Sequence, residues 1–157
     1  TNDVRQSNEP PTQPQEKLTN ESGTALESSE QKPRTYIVKG VVTQWRPMIL
    51  FVQPGDQIVF KQMIGHDTQT IEGMMPVDAT PWQSKMGQEG FSVTLEKPGI
   101  YMYKCTPHVS LGMIGAIVVG DLPPVNLGEI EEHPQNKGMF GRAIRKLKKA
   151  LDAKQGT

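Results

Sequence analysis

The stretch from Ile100 to Val119 constrains this sequence more than any other. Ile100 to Lys104 reads as a strand that runs straight into Cys105, and Met113 to Val119 is apolar enough to be a central strand. Between them lies a short loop, Cys105-Thr106-Pro107-His108-Val109-Ser110-Leu111-Gly112-Met113. The strand end fixes the Cys105 side chain at the mouth of the sheet. Pro107, with its fixed φ, stiffens the loop so that His108 returns toward the same point. Gly112 lets the backbone turn before Met113. The single cysteine of the chain, a histidine and a methionine are thereby held on one loop.

A thiolate, an imidazole and a thioether form a set of soft donors. One cysteine, two histidines and a weak axial methionine make the donor set of blue-copper electron-transfer sites. Gly65-His66-Asp67, upstream, offers the missing imidazole. The predicted ligands are therefore His66, Cys105, His108 and Met113, and the predicted cofactor is one copper ion. Zinc is the rival metal. Structural zinc takes four N, S or O donors, usually several Cys or His, and has little use for a thioether. Singly, each residue also has a plainer role: Cys105 as a small buried hydrophobe, Met113 as core, His66 in a turn. The third histidine, His133, reads as a surface residue.

The rest of the chain from Thr35 has the texture of short strands and turns. Tyr36 to Val42, Met48 to Val52, Gln57 to Lys61 and Phe91 to Leu95 are β-branched, aromatic or alternating, which predicts strands. Pro54-Gly55-Asp56 and Lys97-Pro98-Gly99 predict turns. Glu72 to Gly90 is rich in Met, Pro and Gly and predicts a long irregular connection, a kind often functional. Strands at this spacing predict a mostly β protein built as a sandwich or barrel.

The two ends differ from this middle. Residues 1–34 contain four Pro and, beyond alanine, only Val4, Leu18 and Leu26 as aliphatics. Such a segment buries too little apolar surface to offset its ordering entropy. It predicts a disordered leader, which could serve as a membrane tether reaching roughly 30–35 Å. Residues 35–125 are the expected copper-binding sandwich, and 126–157 the expected helical extension packed on it. Asn126-Leu127-Gly128-Glu129 predicts an N-cap with Glu at N3, and Pro134 ends that short helix. Phe140, Ala143, Ile144, Leu147, Ala150 and Leu151 then form one apolar helical stripe, opposite Arg142, Arg145, Lys146, Lys148 and Lys149. That helix packs on the sandwich or, as the other reading, meets a membrane surface or partner. The 17 basic and 17 acidic residues balance, so charge gives no sign of nucleic-acid binding. No stretch is apolar enough to be a transmembrane helix.

Several stretches together resemble the pseudoazurins, bacterial periplasmic blue copper proteins of the cupredoxin fold. They are Pro54-Gly55-Asp56, Gly65-His66, Thr70 to Pro76, Ser84-Lys85, Pro98 to Tyr101, Lys104 to His108, Gly112 to Gly115 and Val119 to Asp121. The resemblance implies a two-sheet Greek-key sandwich ending in two helices, with copper held by His66, Cys105, His108 and axial Met113. It also implies a carrier rather than an enzyme. It would pass single electrons in the periplasm to redox proteins such as a copper nitrite reductase or cytochrome c, docking around His108. The sequence departs from the family in having Asp67 where Asn is usual, a thinner ring of lysines (Lys85 and Lys104, with Glu72 among them), and the leader. A copper storage or delivery module is the alternative; an interaction or anchoring module is a third. The apolar docking face is expected to gather Met48, Met63, Ile64, Met75 and Leu111 around His108.

Overall fold

A computed structural model describes residues 32–156. The expected disordered leader falls outside the described residues except for its last three positions. Eight strands follow: β1 (Thr35–Val41), β2 (Gln44–Arg46), β3 (Ile49–Val52), β4 (Asp56–Lys61), β5 (Gln69–Thr70), β6 (Phe91–Leu95), β7 (Gly99–Lys104) and β8 (Ile114–Val119). Two helices close the chain, α1 (Leu127–Glu131) and α2 (Gly138–Gln155). The strands make two four-stranded sheets, ordered β2-β1-β4-β6 and β3-β8-β7-β5. β1 runs parallel to β4 and β3 parallel to β8; the other pairs are antiparallel. The expected mostly β sandwich with two C-terminal helices is present.

Burial follows the sequence pattern. In β4, Asp56, Ile58 and Phe60 are buried while Gln57, Val59 and Lys61 are not, the alternation of a strand with one face on the core. β8 is buried at every position and β7 at all but Lys104, because both faces are covered. On the inner face Tyr101, Tyr103, Ile117 and Val119 meet Val38, Ile58 and Phe60 of the opposite sheet. On the outer face Ile100, Met102, Ile114, Ala116 and Val118 meet Ile130 of α1 and Ala143, Ile144, Leu147 and Leu151 of α2. The apolar stripe of α2 therefore packs on the sheet, and Arg142, Arg145, Lys146, Lys148 and Lys149 face outward. Among the described residues, no helix is long and apolar enough to cross a membrane.

One expectation is corrected, that of the Asn126 cap, and two details are added. β2 and β5, three and two residues long, carry no pattern of their own and exist by pairing with β1 and β7. Asn126 does precede α1, but its side chain makes no cap hydrogen bond. It turns instead to the start of β7, accepting from the Ile100 N–H at 2.8 Å and donating to the Ile100 carbonyl at 2.9 Å. His133 lies near the surface yet is engaged. Its Nδ1 accepts from the Gln135 N–H at 3.0 Å, which leaves Nε2 to donate to the Glu72 carbonyl, also 3.0 Å away.

Asn126 is buried and satisfies two main-chain groups at once. Asn126→Ala should lower unfolding free energy by about 2–4 kcal/mol, because each buried group left without a partner costs about 1–3 kcal/mol. Urea denaturation would show it as a lower midpoint at unchanged slope.

Candidate metal centre

β7 delivers Cys105, and the chain then makes a 3-10 helix, Thr106–Leu111, with Pro107 in its first turn. The Met113 N–H returns to the His108 carbonyl at 3.2 Å, and the Cys105 N–H donates to the Met113 carbonyl at 3.1 Å. Gly112 sits at φ 92°, a left-handed conformation that favours glycine. The loop is thus closed on itself, with Cys105 and Met113 side by side at its base, both fully buried and in one apolar cluster.

His66 arrives from the other sheet. β4 ends at Lys61, and the Glu89 carboxylate accepts from the Gln62 and Met63 N–H groups at 3.2 and 3.0 Å. Those two bonds hold the Glu89 carboxyl below its ordinary range. The His66 N–H donates to the Met63 carbonyl and its own carbonyl accepts from Gly87, each at 2.8 Å. Thr68 is fastened to the long 72–90 connection. Its N–H donates to Ser84 Oγ, its carbonyl accepts from the Ser84 N–H, and its hydroxyl accepts from the Trp82 indole. Gly40 of β1 makes room for the imidazole: a Cβ there would stand 2.7 Å from His66 Cδ2.

These supports bring three predicted ligands together. Cys105 Sγ lies 3.6 Å from His66 Nδ1 and 3.4 Å from His108 Nδ1, and the three donor atoms fall within 4.8 Å of one another. With metal–nitrogen and metal–sulfur bonds of about 2.0–2.1 and 2.3 Å, two donors on one tetrahedral ion stand roughly 3.6 Å apart. The spacing therefore suits donors that share a single ion. One thiol and two imidazoles beside a buried methionine suit copper better than zinc, which would seek a harder fourth donor.

The two ligand segments are tied by Asp67. Its Oδ1 accepts from the Thr106 N–H at 2.6 Å and its Oδ2 from the Thr106 hydroxyl at 2.7 Å. Burial, with the neighbouring His108, lowers the His66 pKa, partly offset by Asp67, so this imidazole stays neutral below the usual histidine range. Burial pushes the Cys105 thiol up, against backbone N–H contributions from Asp67 and His108. His108 alone among the three reaches partway to solvent.

A family model described as copper binding proteins, plastocyanin/azurin family, matches residues 34–120. The chain belongs to that family. Within it the chain is similar to the pseudoazurin of Methylorubrum extorquens, 41% identical over 76 residues, which are 48% of this chain and 51% of that protein. It is 35% identical to the pseudoazurin of Paracoccus pantotrophus over 80 residues, 50% of this chain and 54% of that one. The chain spans about half the length of these curated relatives. Among solved structures, a pseudoazurin from Sinorhizobium superposes with a TM-score of 0.66 at 36% identity, covering 73% of this chain and 93% of that one. The pseudoazurin of Methylobacterium extorquens AM1 gives 0.67 at 31%, covering 74% and 98%. The cupredoxin architecture implied by the sequence is thus present, and copper is the cofactor of the family.

Sequence reasoning missed Gly40, Thr68, Ser84 and Glu89. Gly40 carried a weak signal, since a glycine inside a strand marks close approach of another group. Ser84 entered only through the family resemblance, and Thr68 and Glu89 carried no signal.

Two outcomes follow. Asp67→Ala should weaken copper binding roughly 10–100-fold, the usual cost of losing a group that orients a metal ligand. Asp67→Asn, which keeps an acceptor for the Thr106 N–H and can donate to its hydroxyl, should cost little; competition with a calibrated chelator would compare them. Copper uptake near neutral pH should also release about one proton per ion, because the raised thiol starts protonated whereas the metal takes the thiolate. Affinity should therefore rise with pH, and calorimetry in buffers of different ionisation enthalpy would count the proton.

Proposed function

We propose that the chain is a type 1 copper electron carrier. The observation that carries the reading is the convergence of one thiol and two imidazoles at hydrogen-bonded loop ends, beside buried Met113. His66, Cys105 and His108 would hold the ion, with Met113 as the weak axial donor. Bound there, copper supplies reversible one-electron chemistry. All four proposed ligands are protein groups, which leaves no place for a substrate and argues against an enzyme. The protein's part is to keep the donors still. Asp67 clamps the two loops, Gly40 seats the His66 ring, and the closed Cys105–Met113 turn prevents the base of the loop from spreading.

Electron exchange would pass through His108, the ligand with a partly open edge. On the loops that carry or brace the two histidines, Leu111 is 61% exposed, Ile64 91% and Met86 56%, and Pro107 is exposed. Apolar patches of this kind mark interaction sites. Met63 does not belong to the patch. It is fully buried, because Gln62 adopts a positive φ of 58° and the following side chain turns inward. Met48 and Met75 are only half-exposed. Lys85 is exposed and Lys104 half-buried, with Glu72 exposed. By likeness to the pseudoazurins, the partners would be periplasmic redox proteins such as a copper nitrite reductase or a cytochrome c.

A storage or delivery role would call for ligands that release the ion readily. The buried thiol and doubly bonded Asp67 favour retention. Stopped-flow oxidation of the copper(I) protein by an acceptor, over a range of salt and with a chelator present, tests the reading. Repeated cycling without copper loss is expected, with rates that fall only modestly as salt rises. Leu111→Glu should slow the reaction far more than Lys85→Glu, because it places a charge inside an apolar contact. Loss of copper to the chelator during cycling would favour delivery instead.

A further inference from the structure

Beside the ligand loop, but apart from the metal donors, lies a cleft of about 440 Å³ between β2, the end of the 3-10 helix and the first turns of α2. Small-molecule sites commonly measure ~300–1,000 Å³. Its walls divide by chemistry. Met48, Leu111 and Met139 supply apolar surface, and thioethers adapt to irregular bodies. Arg46, Arg142 and Lys146 supply positive charge, and no carboxylate lines the space.

Arg142 and Lys146 stand one turn apart on the same side of α2, where like charges repel. Both are exposed, and neither has a hydrogen-bond or ion-pair partner among the described residues. The neighbouring Lys148, by contrast, pairs with Glu131 at 2.6 Å. Arg46 reaches only the neutral amide of Gln44, at 3.3 Å. These three cations, without a counter-charge among the described residues, disfavour a second soft metal ion beside the two thioethers. They are complementary to an anion, and the apolar wall to whatever carries it.

We propose that this cleft binds a small anion with an apolar body, of the class of aliphatic or aromatic carboxylates. Arg142 and Lys146 take the anionic group, while Met48, Leu111 and Met139 surround the body. The site shares a wall with the metal loop: a Cβ on Gly112 would lie 3.4 Å from the Met139 sulfur. Leu111 also belongs to the exposed face beside His108, so an occupant would cover part of the surface proposed for electron exchange. That consequence rests on the carrier reading; the binding does not.

The test is a nitrogen-15 NMR titration of the copper(I)-loaded full chain, at low salt, with octanoate, octanol and acetate in parallel. Octanoate is expected to saturate at one equivalent and to shift Met48, Leu111, Gly112, Met139 and Arg142. Octanol lacks the charge and acetate the body, and each should bind at least about tenfold more weakly, as loss of a charge-assisted contact or of apolar burial dictates. Arg142→Gln with Lys146→Gln should weaken octanoate by a similar factor, while Lys149→Gln, outside the cleft, should not. An unchanged visible spectrum after oxidation certifies that the variants fold. Equal binding of octanol or of acetate, shifts elsewhere on the surface, an unaltered affinity in the double variant, or no saturation below millimolar octanoate would overturn the proposal. Because octanoate binding involves no electron transfer, its failure and a failure of the carrier reading are separate results.

Discussion

The pair of hydrogen bonds from Thr106 to the Asp67 carboxylate holds this site together. His66 and Cys105 belong to different loops, 39 residues apart, and closing a loop of that length costs entropy that the metal ion would otherwise have to offset. Asp67 offsets part of that cost by tying the two loops directly. It uses both carboxylate oxygens on one residue, so the two loops are fixed in orientation as well as in distance. Charge-assisted bonds of this kind are shorter and stronger than neutral ones, as the 2.6 and 2.7 Å separations reflect. The same carboxylate sits close enough to His66 to counter some of the effect of burial on that imidazole. One side chain therefore sets both the geometry and part of the electrostatics of the donors.

Around this tie the site is graded from inside to outside. Cys105 and Met113 are wholly enclosed, His66 is 6% exposed, and His108 opens partly to the surface. Trp45 approaches His66 with ring centroids 6.1 Å apart and continues through Tyr103 and Phe60 into the sandwich interior. The donors thus rest on rigid aromatic packing below and meet solvent through one imidazole above.

Much of this was legible in the sequence, for reasons that can be named. The approach of Cys105 to His108, with Met113 at the base of the same loop, was readable because a proline and a glycine dictate how so short a loop must close. His66 was readable since a second imidazole was needed and Gly65-His66 followed a strand. What was not legible depended on distant partners. Gln44–Arg46 and Gln69–Thr70 are strands only because neighbouring strands supply their hydrogen bonds. An asparagine before a helix looks the same whether it caps that helix or, as Asn126 does, ties down the start of β7. Met63 was misplaced because strand alternation gives no warning of the backbone reversal at Gln62. The support given by Glu89 and Thr68 comes from ordinary polar residues whose spacing forms no motif, and the resemblance that includes Ser84 does not say what Ser84 holds.

The burial of β7 and β8 on both faces has a consequence for how the molecule tolerates damage. Ile114, Ala116 and Val118 are as apolar as the residues that line the space between the sheets, and α2, with Ile130 of α1, separates them from water. The helix is therefore a lid on a second oily layer, not an ornament on a finished sandwich. A chain cut before Gly138 would still contain every proposed donor, yet it would present a broad greasy face to its neighbours in solution. Such a face seeks another copy of itself. Colloidal behaviour, more than any missing ligand, would then decide whether the shortened protein could be kept in a tube.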